Sequence, residues 1–298
     1  MDENILKQKK KIGISLGIFL IISYLAAYAL TFLVNKLNIA NNENKYLITY
    51  IINAISIYLI GYLFTKLILK NTDEIEKKEK KKLKFSKFLL LVCITIGGAQ
   101  ITNLVTQLIM TIAKSIFKIE INNDITTLIQ ESSTIYLIIF AAILGPIFEE
   151  LIFRGTMLKK LRVYGDKTAI LYTAIAFGLF HCNISQIPFA IVCGLILGYV
   201  VVKTNNIIYP IILHIILNSI SVILTTLLKL KLWPVIVLIM LFVLTCIILT
   251  LVFVPIKLAT NKVKIENESK YKKKNLYKNI GYIFSIIVVI ILTIVEAI

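Results

Sequence analysis

The sequence is short of cysteine, histidine and acidic residues for its length. Its four cysteines include no CxxC pair and all lie in apolar segments, so the sequence predicts neither disulfides nor a cysteine-ligated metal site. Only two histidines are present, His181 and His214, and any histidine chemistry must use one or both of them. The 16 acidic residues are outnumbered by 33 lysines and arginines, which gives a formal charge of +17.

Such a charge would suit a nucleic-acid-binding protein if the basic residues formed a groove with interleaved aromatic side chains. Here they occur in short runs between apolar segments, which is typical of residues that orient a membrane protein and attract anionic lipid. We therefore expect a lipid bilayer and no nucleic acid among the partners, with the basic loops acting as solvated linkers.

Long apolar runs dominate the chain, because 58% of its residues are hydrophobic and the mean hydropathy is +0.87. A soluble domain of this length needs far fewer apolar residues to fill its core, so the sequence predicts an integral membrane protein. The first run, residues 12–34, is too long for the apolar part of a cleavable signal and lacks a small-residue cleavage site. We expect it to remain as the first span.

Nine runs approach the roughly 20 residues that a membrane helix needs. They are residues 12–34, 46–65, 88–113, 134–158, 168–185, 187–202, 207–228, 232–254 and 280–298. With a cytoplasmic N-terminus, 27 of the 33 basic residues fall on one side, as the positive-inside rule requires. The prediction is an all-α, multi-pass cell-membrane protein of eight to nine helices, the last being the least supported because a Lys-rich stretch isolates it.

Two polar features suggest an internal cavity. In the third span, Gln100, Asn103, Gln107 and Thr111 recur at helical spacing, which favours either hydrogen bonds between helices or the lining of a cavity. Residues 121–129 combine one apolar helix face with polar side chains, which is the pattern of a helix lying in the membrane interface.

The densest chemistry lies in residues 145–155, where two acids and an arginine interrupt an apolar run. Ionisable groups inside a span are costly and usually functional. Glu150 and Arg154 are four residues apart with the acid first, which favours an ion pair. Glu149 lies about 100° further round the helix. We therefore expect Glu149 to be the carboxylate available for chemistry and the Glu150–Arg154 pair to support it.

The two histidines lie in other apolar segments, each with a partner one helical turn away. Phe177 shares a face with His181, and Asn218 shares a face with His214. A carboxylate held away from water and a histidine can activate water as a general base, which suits Glu149 and His181. Two N–H donors aimed at one point can stabilise an oxyanion, which suits His214 and Asn218. Structural packing is the alternative for each residue taken singly.

These three motifs, in this order, resemble those of a known family, the CPBP (Abi, or CAAX protease and bacteriocin-processing) intramembrane proteases. That family includes the type II CAAX prenyl endopeptidases. The motifs that carry the resemblance are Glu149-Glu150-x-x-x-Arg154, Phe177-x-x-x-His181 and His214-x-x-x-Asn218, within residues 88–228. The resemblance implies an all-helical protease of about eight spans that hydrolyses a peptide bond near the membrane surface, with the six residues in the roles given above.

The family has been described both as metalloproteases and as metal-independent glutamate-type proteases. Zinc would need His181, His214 and Glu149 as ligands, leaving only Glu150 as the base, and Glu150 is engaged with Arg154. The chain also has no HExxH motif. The sequence therefore favours a glutamic-type protease without a cofactor, and zinc remains the alternative.

Three segments follow from this interpretation. Residues 1–87 form an N-terminal pair of spans with a basic cytoplasmic loop, residues 88–228 the catalytic core, and residues 229–298 the C-terminal spans with a Lys-rich loop. The sequence does not decide between four substrate classes, which are a prenylated CAAX peptide, a peptide pheromone, a bacteriocin leader and a membrane-protein stub. It does not indicate the oligomeric state either. The alternative functions are a non-catalytic bacteriocin-immunity or scaffold protein of the same fold and, less favoured, a proton-coupled transporter.

One discrepancy concerns depth in the membrane. At about 1.5 Å per residue, Glu149 lies about 13 Å and His214 about 10 Å from the cytoplasmic ends of their spans, whereas His181 lies nearer 20 Å. A single site requires a tilted helix or different helix ends.

Overall fold

The computed structural model describes residues 3–41, 44–76, 78–118, 132–260 and 280–297. Throughout these ranges the regular structure is helical, without a β-strand. Helices satisfy their own backbone hydrogen bonds, which is what apolar segments of this length need in lipid. The predicted all-α polytopic membrane fold is confirmed. The predicted interfacial helix at 121–129 lies outside the described residues.

Nine helices occupy the predicted positions in this part of the chain. They are α1 Glu3–Lys36, α2 Lys45–Leu69, α3 Phe85–Phe117, α4 Thr134–Tyr164, α5 Asp166–Phe180, α6 Ile187–Thr204, α7 Ile208–Lys229, α8 Trp233–Ala259 and α9 Ile280–Ala297. Seven of them are long and apolar enough to cross a membrane, all except α5 and α9. The chain is therefore a multi-pass membrane protein.

Helix α5 is shorter than the predicted fifth span at 168–185. It has 15 residues and ends at Phe180, so it is about 22 Å long, against about 30 Å for the hydrocarbon core. It follows α4 directly through Gly165, whose φ of 103° favours glycine. Arg162 binds Asp166 across this turn through two hydrogen bonds of 2.6 and 3.1 Å. The turn therefore fixes where α5 begins.

Two of the helices contain π-helical segments. In α2 the segment is Ala54–Gly61, and in α4 there are two, Leu137–Leu144 and Phe153–Leu158. π-Helical segments are rare in proteins, and those that occur are often found at functional sites. Those of α4 flank the Glu149-Glu150 dipeptide on both sides.

The first and last helices pack closely through small residues. The hydroxyl of Ser285 donates to the carbonyl of Gly13 at 2.6 Å and accepts from the amide of Gly17 at 2.8 Å. A Cβ at Gly281 would lie 2.6 Å from the carbonyl oxygen of Lys10, so a side chain does not fit there. Helix α9, which carries no chemical motif, is thus attached to α1 by a small-xxx-small contact that Gly13 and Gly17 encode.

The basic segment between α2 and α3 is bound to the ends of other helices, while the side chains of residues 78–82 stay exposed, as expected for a solvated segment. Lys160 donates to the carbonyl of Thr72 and pairs with Glu74, both at 2.8 Å. Further along, the amide of Lys81 donates to the carbonyl of Thr204 at 2.7 Å, and the amide of Leu83 donates to the hydroxyl of Tyr209 at 3.0 Å. The side-chain amide of Asn205 donates to the carbonyl of Glu79 at 3.2 Å. The segment therefore connects the ends of α4, α6 and α7.

The polar stripe of α3 bonds within its own helix. Asn103 donates to Gln100 at 3.5 Å, and Thr111 donates to the carbonyl of Gln107 at 2.8 Å. Gln107 and Thr111 are exposed on the outer surface. The hydroxyl of Thr111 thus bonds within α3 and not to a neighbouring helix of the described ranges.

One hydrophobic cluster runs through residues of all three predicted segments. It includes Phe19 of α1, Phe177 of α5 and Cys246 of α8. All four cysteines are free, and three of them are buried, as expected for small apolar side chains.

Candidate active site

Glu150 and Arg154 form the buried ion pair that their spacing predicts. Nη1 of Arg154 donates to Oε1 of Glu150 at 2.8 Å, and both side chains have an exposed fraction of 0%. Two charges removed from water at such depth persist only when each compensates the other. The pair is therefore a fixed element of α4.

His214 of α7 lies between the two glutamates of α4. Its Nδ1 is 3.1 Å from Oε1 of Glu150, and its Nε2 is 3.7 Å from Oε2 of Glu149. Because an ionised carboxylate only accepts hydrogen bonds, Nδ1 carries the proton and donates it. His214 is 5% exposed and the Glu149 side chain 12% exposed. The first and third motifs thus meet, with Glu149 the more accessible carboxylate.

Oε2 of Glu149 and Nε2 of His214 are placed for proton exchange. At 3.7 Å the two atoms are just beyond hydrogen-bond distance, so a small side-chain movement suffices for transfer.

His181 is the first residue after α5 and reaches the same cluster. Its Nδ1 donates to the carbonyl of Phe177 at 2.8 Å, since a carbonyl oxygen can only accept, and Nε2 of the neutral ring is left as an acceptor. The Phe177 ring lies between the groups of the site. Its centroid is 5.1 Å from that of His181, 5.7 Å from that of His214 and 4.4 Å from Cζ of Arg154.

The observed helix ends bring Glu149 and His181 to similar distances from the turn between α4 and α5. Helix α4 continues to Tyr164, six residues beyond its predicted end, so Glu149 lies about 22 Å from the end of its helix. His181 lies at the far end of the 15-residue α5, also about 22 Å from the turn at Gly165. The contact between His214 and Glu150 then fixes the third motif at this depth.

Asn218 bonds to the backbone of α4. Its amide donates to the carbonyl of Ala141 at 2.9 Å. In the π-helical segment, the amide of Gly145 donates to Phe140, five residues earlier. The next bond of this type would run from residue 146 to Ala141, but Pro146 has no N–H. Asn218 supplies the missing donor and keeps a second amide hydrogen.

One residue that sequence reasoning missed lies beside Glu149. The ring of Tyr58, on α2, stacks on Phe148 with centroids 5.1 Å apart and an interplanar angle of 7°. A Cβ at Gly145 would lie 3.0 Å from the Tyr58 hydroxyl and 3.6 Å from Oε1 of Glu149. The sequence offers no distinct signal for Tyr58, because α2 contains other tyrosines in equally apolar surroundings.

The alternative zinc set can be compared with these positions. Within the described ranges, no three His, Cys, Asp or Glu side chains are arranged to hold a metal ion. The Nδ1 atoms of His181 and His214 are already hydrogen-bonded to Phe177 and Glu150. The site as it stands is an acid–base cluster, and zinc stays an untested alternative.

Fold and site together define a polytopic membrane protein with a buried Glu–Arg–His cluster between its helices. Residues 131–220, which contain all six candidate residues, match the family model Rce1-like, described as Type II CAAX prenyl endopeptidase Rce1-like. This match confirms the resemblance of the three motifs to the CPBP family of CAAX proteases. The matched segment spans less than a third of the chain. No curated protein and no solved structure matches the chain.

Proposed function

We propose that this protein is a glutamic-type intramembrane endopeptidase in which Glu149 activates the attacking water. The observation that carries the proposal is the position of His214, whose two ring nitrogens face Glu150 and Glu149. This position leaves Glu149 as the carboxylate that is not consumed by the Arg154 pair. A catalytic base needs such freedom, whereas a purely structural carboxylate does not.

The reaction begins with a proton held on His214 and an ionised Glu149. Glu149 removes a proton from water while the water oxygen bonds to the carbonyl carbon of the substrate. The carbonyl oxygen becomes an oxyanion. A carboxylate in a site poor in water is suited to this step because its charge is weakly solvated.

The oxyanion meets donors on α7. In its doubly protonated form His214 donates from Nδ1 to Glu150, and its Nε2–H is available to the oxyanion. Asn218 retains one amide hydrogen beyond the bond to Ala141. Donors that helices already hold in place stabilise a developing charge without reorganisation.

Collapse of the intermediate breaks the C–N bond, and the leaving nitrogen takes a proton. His181 has an acceptor nitrogen at Nε2, because its Nδ1 is committed to the carbonyl of Phe177. It can receive the proton taken from water and deliver it to the leaving amine. The peptide is thus hydrolysed with no net change in the protonation of the site.

The substrate we propose is a peptide segment presented at the membrane. The family description names CAAX prenyl endopeptidases, so a prenylated CAAX peptide is the first probe to use. Peptide pheromones, bacteriocin leaders and membrane-protein stubs are the other classes. Cleavage of a bacteriocin leader would indicate a role in bacteriocin processing or self-immunity. With the predicted cytoplasmic N-terminus, we expect the site to open toward the cytoplasmic side.

The test compares Glu149→Gln and His181→Ala with the unaltered chain in lipid nanodiscs. Cleavage of a farnesylated CAAX peptide and of the other peptide classes is followed by mass spectrometry. Each variant should lose at least about 100-fold in kcat, which is typical for loss of a general acid or base. The control is Glu76→Gln, which alters an exposed carboxylate in the α2–α3 segment.

Retained cleavage in Glu149→Gln would contradict the proposal, and absence of cleavage by the unaltered chain with every peptide class would favour the non-catalytic scaffold. A chelator is added to the unaltered protein in a parallel reaction. Activity that is lost with the chelator and restored by zinc would contradict the metal-independent mechanism.

A further inference from the structure

We infer that Tyr58 is a positioning residue for Glu149, and this inference rests on the proposed function of Glu149 as the base. The hydroxyl of Tyr58 approaches Oε1 of Glu149 from α2, while Oε2 faces His214 on α7. Residues of α2 and α7 thus border the two oxygens of the carboxylate.

The approach of the Tyr58 hydroxyl to Glu149 depends on Gly145. The Tyr58 hydroxyl and Oε1 of Glu149 both border the position that a Cβ of Gly145 would occupy, at 3.0 and 3.6 Å from it. Since residue 145 has no side chain, both oxygens border the same open space. Direct contact or one bridging water can join them.

The Tyr58 ring is fixed independently of its hydroxyl. It stacks nearly parallel on Phe148, the residue that precedes Glu149. An aromatic pair of this geometry stabilises the ring position beyond simple burial. The hydroxyl is thus aimed at one place on α4, and the charge of Glu149 acts on it.

The Nδ1–H donors of the two histidines are bound elsewhere. Nδ1 of His214 donates to Glu150, and Nδ1 of His181 donates to Phe177. The side-chain amide of Asn218 donates one hydrogen bond, to the carbonyl of Ala141. Tyr58 is the side chain that faces Oε1 of Glu149 with an O–H donor.

This arrangement has a mechanistic consequence. A hydrogen bond from a phenol to a carboxylate is charge-assisted and restricts the rotation of the carboxylate. With Oε1 held by Tyr58, Oε2 points to the water and to His214. Tyr58 lies outside the 131–220 family segment, so an N-terminal helix contributes to a site that the family segment does not contain by itself.

The experiment uses Tyr58→Phe in the full-length protein, because phenylalanine keeps the stacking on Phe148 and removes only the hydroxyl. With whichever peptide the unaltered chain cleaves, kcat should fall about tenfold with KM unchanged, the size expected for one hydrogen bond to a charged group. The matched control is Tyr62→Phe, one turn further along α2, where the ring lies beside Lys66. This control should keep the activity of the unaltered chain.

A second measurement needs no substrate. The infrared carboxyl band of Glu149 is assigned as the difference between the unaltered chain and Glu149→Gln, and the same difference is then recorded in the Tyr58→Phe background. The band should move when the hydroxyl is removed. A band that stays in place, or a Tyr58→Phe variant whose kcat stays within about twofold of the unaltered chain, overturns the inference. If the unaltered chain cleaves none of the peptides, the infrared band alone decides.

Discussion

At the scale of single residues, the surroundings of Arg154 are unlike those of a surface arginine. Its Nη1 is bonded to Glu150, while Nε and Nη2 make no hydrogen bond among the described residues. The guanidinium plane lies 4.4 Å from the centre of the Phe177 ring. Arg154 is thus held by one carboxylate and one aromatic face, in a site where an unpaired charge is costly.

Two variants separate the effect of charge from the effect of packing in the Glu150–Arg154 pair. We expect Arg154→Met to lower the free energy of unfolding by about 3 kcal/mol or more, because it leaves Glu150 buried without its partner. The double variant Glu150→Gln/Arg154→Met should lose less, since no charge of the pair remains. Thermal unfolding in detergent, followed by circular dichroism, measures both. Equal losses in the two proteins would show that packing on Phe177 is more important than the charge.

Several residue contacts could be predicted from spacing alone. The Glu150–Arg154 pair and the contact between Phe177 and His181 both follow from the four-residue period of one helix. The position of His214 between Glu149 and Glu150 could not, because it depends on how α4 and α7 are rotated relative to each other. For the same reason Tyr58, on a third helix, carried no recognisable signal.

At the scale of helices, α4 and α7 are joined where α4 cannot complete its own hydrogen bonds. Pro146 interrupts the π-helical series, and the carbonyl of Ala141 accepts from Asn218 instead. A backbone acceptor without a partner is costly in an apolar environment. The proline and the asparagine therefore act as a matched pair across two helices.

A double-variant cycle tests this pairing. Asn218→Ala should destabilise the protein by about 1 kcal/mol, the usual size of a hydrogen bond between membrane helices. Pro146→Ala in the same chain provides an N–H for Ala141 and should restore part of the loss. The free energies of unfolding of the two single variants and the double variant give the coupling. Strictly additive effects would mean that Pro146 and Asn218 are independent.

The helix positions were predictable, but some of their ends were not. Nine apolar runs correspond to nine helices in the described ranges, because length and hydropathy are properties of the sequence itself. Helix α5 ends before Cys182, whose left-handed φ of 47° is usually found at glycine or asparagine. Since no glycine or proline follows Phe180 directly, the sequence had no stop signal there.

At the scale of the whole molecule, the two ends of the chain are packed together. Helices α1 and α9 meet through Gly13, Gly17, Gly281 and Ser285. The charge distribution that places the N-terminus in the cytoplasm remains a prediction. The contact itself requires that both helices lie side by side.

Gly281→Ala tests the importance of this contact. A methyl group there would lie 2.6 Å from the carbonyl oxygen of Lys10, so we expect a loss of about 1 to 3 kcal/mol in unfolding free energy. The control is Gly98→Ala, where the nearest atom is the flexible end of Ile196 at 3.3 Å. Thermal unfolding of the two proteins in the same detergent gives the comparison. A Gly281→Ala protein as stable as the control would show that the contact between α1 and α9 accommodates the methyl group.

The short length of α5 has a further consequence for a reaction that consumes water. The backbone leaves the helix after about 22 Å and turns through residues 182–186, which include Asn183, Ser185 and Gln186. Irregular backbone at such depth exists only where it is covered by protein or wetted. Ile184 in this turn is 47% exposed, so protein does not cover the turn completely. We therefore expect hydrolytic water to approach His181 at the interruption that ends α5, and not along the lipid-facing sides of the helices.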